Sequence, residues 1–499
     1  MLFNELTEIM RDRKLEFETF LPEYSDAAAE IENLVSDSRE AGEKSIFACV
    51  KGEHSDGHSF AEKAAAQGAS ALLCERRLDL PLPQIICSNV RSAMGSVASC
   101  LYGFPAEKLT MVGITGTNGK TTSTFMLRSI LETAGIKTGL LGTVFYSDGN
   151  ENTDAEHTTP EGSDLQMWLA KMLKNGCKAC VMEVSSHSLD QGRVAGVEYN
   201  SGGFTNLTVD HLDYHKNMEN YFLAKKKLLG RMKKEWSFSV NIDDEYGKRI
   251  KDEYGDKVIT YSMNDESADF YAEICESSIS GTKINIKFPG KISKETILLP
   301  VIGDYNIMNA LQASSIAWSL GVELSAIQEG LLKMSQVPGR LEKYHIKDSG
   351  TYIIDFAHTP DALEKTIELL RNFCEHRLFV LFGAGGDRDN SKRSIMGEIA
   401  TRLADYTVIT SDNPRSEDPD SIIAEIETGA KKNSGAYELV TDRTEAICHA
   451  LDMLEEGDIL LVAGKGAEQK QIFKDRSVPY RDIDVLKSWS KKRDKEVLV

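Results

Sequence analysis

The stretch LTMVGITGTNGKTT (residues 109–122) decides the fold at the centre of this chain. An apolar run of strand length leads into a glycine-rich turn, which ends in a lysine and two threonines. Four apolar residues then recur at helical spacing and predict a helix, with Gly135 at its C-terminal end: Leu127, Ile130, Leu131 and Ala134. The stretch therefore predicts a strand, a tight loop and a helix in succession.

This succession is typical of a phosphate-binding loop, in which backbone N–H groups and a helix N-terminus face the anion. Lys120 is predicted to reach the terminal phosphates of a nucleotide, and Thr121 to ligate Mg²⁺. The strict Walker spacing is not met, because it requires glycine at position 114 and this chain has Ile114. A glycine-rich turn with a surface lysine is the alternative, but the strand and helix on either side favour the phosphate site.

Composition limits the classes of function. The 499 residues carry a formal net charge of -19, which disfavours a broad surface for nucleic acid or anionic membrane. No run is long enough to cross a bilayer, and the first residues lack the apolar core of a signal peptide. The nine cysteines are scattered except for Cys177 and Cys180, which we interpret as small buried residues. We expect a cytoplasmic protein that acts as a monomer on small molecules.

Strand-length apolar runs alternate with helical patterns along nearly the whole chain, which predicts an α/β fold with mainly parallel sheets. Breaks near LYGFPAEK and QVPGRLE divide the sequence into three predicted domains. Their predicted bounds are 1–105, 106–336 and 337–499.

Polar residues follow two apolar runs in the central block. Glu183 ends ACVME, and its carboxylate needs either a metal ion or a structural ion pair. FTNLTVDHLDYH places His211 beyond another strand, at the sheet edge where such folds gather ligands.

The pattern NMENYFLAKKKLLGRMKK (residues 217–234) predicts one helix, in which Lys225 is the only charge on the apolar stripe. That lysine must extend to solvent, find a partner or change its charge.

Another unusual stretch is TSDNPRSEDP (residues 410–419), which sets Arg415 among three carboxylates behind the apolar run YTVIT. A solvated loop whose charges pair with each other is the simplest interpretation. The residues alone do not exclude it.

Ten motifs occur in the order found in Mur ligases, and the sequence resembles that family over essentially its whole length. The motifs are TGTNGKTT, EVSSH, DHLDYH, AKKKLL, GDYNIMNA, PGRLE, DFAHTPDAL, GGDRD, DNPR and AGKG. The resemblance is strongest to the members that extend UDP-MurNAc-L-Ala-D-Glu by a diamino acid. It implies a UDP-sugar domain, a central phosphate-loop ATPase and a Rossmann-like C-terminal domain for the amino acid. It also implies a cytoplasmic amide ligase of peptidoglycan synthesis that uses ATP and Mg²⁺ and forms an acyl phosphate.

The resemblance carries site residues over to this sequence. Catalytic and metal-binding roles fall on Lys120, Thr121, Glu183, His211 and Lys225, the last as a carbamylated lysine. The implied ATP contacts are Gly116, Thr117, Asn118, Gly119, Lys120, Thr121, Thr122, Asn306, Asn309, Arg340, Asp355 and His358. The implied contacts with the UDP-sugar peptide are Ser38, Thr158, Thr159, Ser186, Gln191 and Arg193. The implied amino-acid contacts are Arg388, Asp412, Asn413, Pro414, Arg415, Gly464 and Glu468.

In this resemblance the arginine of DNPR goes with meso-diaminopimelate, while meso-lanthionine and L-lysine remain alternatives. One departure is Ala467 in AGKGAEQK, where the family usually has histidine. A dinucleotide-dependent oxidoreductase is disfavoured, because Arg388 stands at the third glycine position of GAGGDRD. An ATP-driven nucleotide switch is a further alternative, but it would not need a third domain with its own ligand-type loops.

Overall fold

The computed structural model describes residues 1–23, 28–52 and 55–498. The chain divides into two compact units, of which the first contains residues 1–275, 283–299 and 304–334. The second contains residues 276–282, 300–303 and 335–499. None of the helices in the described ranges is both long and apolar enough to cross a membrane. The predicted α/β class is confirmed, while the three predicted domains and their bounds stay a prediction.

The N-terminal part of the first unit is a five-stranded sheet in the order β1-β5-β4-β3-β2. Its middle strands pair in parallel, and β1 joins the edge antiparallel to β5. The strands are β1 (Glu18–Phe20), β2 (Asn33–Val35), β3 (Ser45–Ala48), β4 (Ala71–Cys74) and β5 (Gln84–Ile86). The helices are α1 (Phe3–Asp12), α2 (Ala61–Ala66) and α3 (Val90–Leu101), with a 3₁₀ turn at Gly57–Phe60.

The central sheet has eleven strands in the order β16-β15-β14-β13-β12-β11-β6-β10-β7-β8-β9. Its strands are β6 (Thr110–Thr115), β7 (Thr138–Leu141), β8 (Phe145–Ser147), β9 (Asn152–Asp154), β10 (Ala179–Glu183), β11 (Tyr199–Phe204), β12 (Met232–Asn241), β13 (Ile259–Ser262), β14 (Phe270–Ser278), β15 (Gly281–Lys287) and β16 (Glu295–Leu299). The accompanying helices are α4 (Pro105–Lys108), α5 (Lys120–Thr133), α6 (Gly162–Lys174), α7 (Ser186–Asp190), α8 (Leu212–His215), α9 (Met218–Lys226), α10 (Glu245–Tyr254), α11 (Asp304–Ser319) and α12 (Leu324–Leu332), with 3₁₀ turns at Leu229–Arg231 and Gly255–Lys257.

The strand β6 lies between β10 and β11 and is parallel to both, so the loop behind β6 emerges at the middle of the sheet. Buried apolar side chains fill β6 and β10, as expected for parallel strands covered on both faces. Cys177 and Cys180 are buried at this core, as the sequence predicted. The helix α5 begins at Lys120 and buries Leu127, Ile130 and Leu131, which confirms the predicted helix.

Two local predictions were wrong. The helix predicted over residues 217–234 ends at Lys226, and Met232 begins β12. Gly230 in the turn has low helix propensity, which disfavours continuation of the helix. The residues that follow form β12, which pairs in parallel with β11. The alternation of polar and apolar residues in TKINIKF (residues 282–288) predicts an antiparallel edge strand, but β16 lies outside the corresponding strand β15.

The second unit contains a seven-stranded sheet in the order β21-β20-β19-β22-β18-β17-β25. Its strands are β17 (Glu342–Ile346), β18 (Gly350–Asp355), β19 (Leu378–Phe382), β20 (Tyr406–Ile409), β21 (Ala436–Leu439), β22 (Ile459–Ala463) and β25 (Val497–Leu498). A separate hairpin consists of β23 (Lys470–Ile472) and β24 (Ser477–Pro479). The helices are α13 (Pro360–Arg371), α14 (Ser391–Leu403), α15 (Pro419–Ala430), α16 (Arg443–Asp452) and α17 (Asp482–Arg493).

Part of the stretch TSDNPRSEDP is explained by local structure. Asp418 is the N-cap of α15, where its carboxylate accepts a hydrogen bond from the Ser421 N–H, and Pro419 occupies the first helical turn. Both residue types are favoured at those positions. The last residues of the stretch therefore begin a helix, while residues 410–415 form the loop behind β20.

Candidate active site

The loop after β6 has the geometry of a phosphate cradle. Gly119 adopts φ +85° immediately before α5, and a Cβ atom there would lie 2.3 Å from Asn309 Oδ1. Glycine is therefore required both by the backbone conformation and by the close approach of α11. The Lys120 ammonium folds back over the loop and donates to the carbonyl oxygens of Gly116 (3.0 Å) and Thr117 (2.8 Å). A phosphate group would offer this lysine stronger acceptors at the same place.

Asn306 and Asn309 lie buried on α11 beside this loop. The Asn309 Oδ1 atom accepts a hydrogen bond from Ser123 Oγ at 3.2 Å, and its Nδ2 atom donates to Asn306 Oδ1 at 3.3 Å. The structure thus brings both predicted asparagines to the first turn of α5.

Glu183 lies at the end of β10 with only 1% of its surface exposed. Its carboxylate accepts hydrogen bonds from Thr121 Oγ1 (3.1 Å), the Thr143 N–H (2.8 Å) and Thr143 Oγ1 (3.2 Å). No lysine or arginine in the described ranges forms an ion pair with it. A buried carboxylate with neutral partners and neighbouring hydroxyl groups is a suitable oxygen donor set for Mg²⁺. Among the described residues, the alternative of a structural ion pair is therefore not observed.

Lys225 is buried, with 2% of its surface exposed, and it does not extend to solvent. Its Nζ atom donates to the Gly116 carbonyl at 2.6 Å and lies 4.5 Å from the centre of the Tyr221 ring. Burial, reinforced by the charge of Lys120, lowers the pKa of Lys225 well below its usual value. A lowered pKa favours the neutral amine, which is the form that reacts with carbon dioxide.

The His211 ring packs edge-on against the same tyrosine, with the two ring centres 6.0 Å apart. It has a positive φ of 52° and stands immediately before α8. Burial is the main cause that lowers the pKa of His211, which favours the neutral imidazole that can ligate a metal. His187 contacts the His211 ring at 4.9 Å, and burial lowers the pKa of His187 to about 4.

Five of the six residues assigned to the UDP-sugar peptide lie around Glu183 and α7. Thr159 donates to the Glu183 carbonyl at 2.9 Å, and Thr158 Oγ1 lies 3.1 Å from Thr143 Oγ1. Arg193 donates through Nε to Gln191 Oε1 at 2.9 Å. Ser186 Oγ lies 2.9 Å from His215 Nε2. The sixth, Ser38, lies in the turn after β2 of the five-stranded sheet.

The other predicted nucleotide contacts lie in the second unit. The Arg340 guanidinium lies 4.4 Å from the centre of the Phe356 ring, and the His358 ring packs edge-on against the same phenylalanine at 4.6 Å. Asp355 accepts from the backbone N–H groups of Leu341 and Ala357, and burial raises its pKa. The three predicted side chains thus share one surface around Phe356.

The loop behind β20 is held by the β23–β24 hairpin. The Arg415 N–H donates to the Ile472 carbonyl at 3.0 Å, and Gln471 Nε2 donates to the Asp412 carbonyl at 2.8 Å. Asn413 is buried and donates through Nδ2 to Glu468 Oε2 at 2.7 Å. Gly464 lies against Asp412, whose Oδ2 atom would be 2.8 Å from a Cβ atom at position 464.

The Arg415 guanidinium donates through Nη1 to the Gly386 carbonyl at 2.8 Å. A Cβ atom at Gly385 would lie 2.7 Å from that Nη1 and 3.8 Å from Arg388 Cγ, so both arginines flank the same glycine. Glu417 of the same stretch pairs with Arg393 instead, at 2.8 Å. Within the part of the chain that the structure describes, no carboxylate is in ion-pair distance of Arg415. The arginine is therefore not held by its neighbours in the sequence, contrary to the simplest interpretation.

Comparisons with known proteins agree with this geometry. Three family profiles match in succession: the Mur ligase family catalytic domain over residues 30–101, the Mur ligase middle domain over 114–317 and the Mur ligase glutamate ligase domain over 339–466. A Clostridium acetobutylicum protein named UDP-N-acetylmuramoyl-L-alanyl-D-glutamate--2,6-diaminopimelate ligase 1 is 41% identical over 93% of this chain and 96% of its own length. The chain belongs to the Mur ligase family. It is therefore an ATP-dependent ligase.

Other relatives of this Mur ligase support the same family assignment. A 2,6-diaminopimelate ligase from Geobacillus kaustophilus is 40% identical over 92% of this chain and 95% of its own length. A solved 2,6-diaminopimelate ligase structure has a TM-score of 0.67 at 28% identity and covers 99% of both chains. The MurF ligase of Thermotoga maritima, solved in complex with ADP, has a TM-score of 0.62 at 20% identity over 87% of this chain and 93% of that chain, which shows the shared fold.

The structure of this Mur ligase also shows residues that sequence reasoning missed. Thr143 binds Glu183 as closely as Thr121 does, and it follows β7, a neighbour of β10 in the sheet. Tyr221 contacts both Lys225 and His211, and its position in an apolar helical pattern gave no signal of these contacts. The position of Thr143 at the carboxyl end of a parallel strand was a usable signal.

Proposed function

We propose that this Mur ligase joins an amine of meso-diaminopimelate to the D-Glu side-chain carboxylate of UDP-MurNAc-L-Ala-D-Glu, with conversion of ATP to ADP and phosphate. The names of relatives that are about 40% identical over most of their length support the reaction, since they are called 2,6-diaminopimelate ligases. The observation on this chain that carries the proposal is Arg415, a half-buried guanidinium without a carboxylate partner among the described residues. The distal carboxylate of diaminopimelate fits it.

The first chemical step is phosphoryl transfer. A carboxylate oxygen of D-Glu attacks the γ-phosphorus, the bond to the β-γ bridging oxygen breaks, and ADP leaves an acyl phosphate behind. The loop of residues 116–122 holds the phosphates through backbone N–H groups, and Lys120 neutralises charge that develops on the γ-phosphoryl group. Thr121 and Glu183 would hold Mg²⁺, which when bound lowers the repulsion between the two anions.

The second step is acyl transfer. The amine attacks the acyl carbon and loses a proton, and the tetrahedral intermediate collapses with phosphate as the leaving group. Both reactants must be held at a short distance for this to be fast. Arg415, Arg388, Asn413 and Glu468 would fix the distal end of the amino acid, while Thr159 and Arg193 would fix the sugar peptide.

Lys225 is proposed to act as its carbamate. Carbon dioxide adds to the neutral amine, one proton is released, and the side chain becomes a carboxylate-like anion. The carbamate keeps one N–H, so the hydrogen bond to the Gly116 carbonyl can persist. The new oxygens would lie on the side of the loop near Tyr221 and His211, where a second Mg²⁺ could bind them.

The proposed function is tested by phosphate release from the purified protein with each substrate omitted in turn. We expect release to require ATP, UDP-MurNAc-L-Ala-D-Glu and the diamino acid together. ATP hydrolysis at full rate without the amino acid would instead indicate a nucleotide switch. Lys120→Ala should abolish release, whereas Lys431→Ala, which alters an exposed pair with Glu427, should not.

A further inference from the structure

Lys465 is a fully buried lysine in the loop behind β22, next to the proposed amino-acid site. Its ammonium uses all three of its hydrogens on acceptors at short distance. They are Asn413 Oδ1 at 3.0 Å, Glu468 Oε2 at 2.9 Å and the Lys470 carbonyl at 2.9 Å. An ordinary structural lysine extends its charge to water, so this arrangement requires an explanation.

The lysine fixes which way the Asn413 amide faces. The Oδ1 atom of Asn413 accepts from both Lys465 Nζ and the Ile472 N–H, the latter at 3.0 Å. With its oxygen held by two donors, the amide must turn its Nδ2 group toward Glu468, which it reaches at 2.7 Å. Removal of one donor weakens this preference.

The same lysine holds one oxygen of Glu468. Oε2 accepts from both Lys465 and Asn413, whereas no hydrogen bond to Oε1 is found among the described residues. The Glu468 side chain is 37% exposed, in contrast to 1% for Lys465. One carboxylate oxygen of this half-exposed side chain is therefore held by two donors, and the other has no hydrogen-bond partner among the described residues.

We propose that Lys465 is a positioning residue that presents Glu468 and Asn413 to an ammonium group of the diamino acid. The inference rests on the proposed function and adds a residue to its specificity site. The carboxylate keeps its negative charge for the incoming ammonium, while the lysine behind it fixes its direction. A lysine that served stability alone would affect all substrates equally.

The test compares Lys465→Met, which keeps the length of the side chain without its donors, with Lys431→Met as the exposed control. The KM of each substrate is measured, together with positional isotope exchange in ATP when the amino acid is absent. We expect the KM of meso-diaminopimelate to rise about 10- to 150-fold, the range set by one lost charge-assisted hydrogen bond. The KM values of ATP and the sugar peptide, and the isotope exchange, should stay within about 2-fold of those of the unaltered protein, since additive effects are small for distant sites.

A second variant, Lys465→Ala, leaves a cavity that an alkylammonium ion can enter. We expect n-propylammonium to lower the raised KM of meso-diaminopimelate in this variant and to have no such effect on the unaltered protein. An unchanged KM in Lys465→Met, an equal rise for all three substrates, or insoluble variants without rescue would overturn the positioning role. If the unaltered protein forms no amide at all, the proposed function fails instead, and the two failures are distinguished by that single control.

Discussion

Replacement of Arg415 by alanine should remove the preference for a diamino acid with a distal carboxylate. In the structure one guanidinium nitrogen, Nη1, is engaged by the Gly386 carbonyl, and the backbone at Arg415 is held in a left-handed conformation with φ 52°. The edge formed by Nε and Nη2 makes no hydrogen bond with any of the described residues. That edge can grip a carboxylate through two parallel hydrogen bonds.

The size of the effect follows from this geometry. A charge-assisted hydrogen bond contributes about 1.5–3 kcal/mol, which corresponds to roughly 10- to 150-fold in kcat/KM. L-Lysine lacks the distal carboxylate, so it gains no hydrogen bond from the arginine and also leaves this half-buried guanidinium without a carboxylate partner. Both effects lower kcat/KM for L-lysine. We therefore expect the unaltered protein to prefer meso-diaminopimelate over L-lysine by about 10²-fold or more. Meso-lanthionine presents the same distal groups and should be accepted with similar efficiency.

The assay is kcat/KM for the three amino acids with the unaltered protein, Arg415→Ala and the control Arg402→Ala. Arg402 forms an exposed ion pair with Glu364 in the same unit and should be neutral. Arg415→Ala should lose most of the discrimination through a lower value for meso-diaminopimelate. If the unaltered protein prefers lysine, or the variant retains full discrimination, Arg415 is a solvated loop residue and the reasoning is refuted.

Three further predictions follow from the central loop and from one buried ion pair. Lys225→Arg should reduce turnover by at least about 10²-fold, because arginine keeps the charge that carbamylation removes, and Lys225→Ala should regain part of its activity with a small carboxylate such as formate; near-normal turnover of Lys225→Arg would contradict this. Glu183→Gln should raise the Mg²⁺ concentration needed for half-maximal activity by about 10-fold or more, measured by titration with the ion, and an unchanged requirement would remove Glu183 from the metal site. Arg443→Met should lower the free energy of unfolding by about 3–5 kcal/mol in urea, because it leaves the buried Asp482 carboxylate unpaired, and a loss below about 1 kcal/mol would contradict this.

The strands and the helix around residues 109–135 could be predicted from the sequence because periodicity and glycine placement are local signals. The same is true of the strands of the C-terminal sheet, whose apolar runs coincide with β18, β19, β20 and β22. The end of α9 could not be predicted, because the residues that continue the helical stripe also suit a parallel strand. Pairing with β11 decides between the two, and that pairing is not visible in local sequence.

For the candidate site, the resemblance to Mur ligases supplied most of the residues and the structure supplied their partners. Lys465 stood inside the motif AGKG, but its burial depends on the β23–β24 hairpin folding over residues 411–413. The places of Thr143 and Tyr221 in the candidate site likewise depend on contacts that local sequence patterns do not show. Ala467, at the position where the family usually has histidine, packs closely against Gly339. The structure gives no physical reason for that replacement.

The most direct test of the central claim is mass spectrometry of the product formed from ATP, UDP-MurNAc-L-Ala-D-Glu and an equimolar mixture of meso-diaminopimelate and L-lysine. In the mixture the two amino acids compete for one acyl phosphate. The ratio of the two products therefore equals the ratio of the two kcat/KM values. The account predicts one amide per sugar peptide, with the mass of the diaminopimelate adduct and at most about 1% of the lysine adduct. A product that contains mainly lysine, or consumption of ATP without any amide, would contradict it.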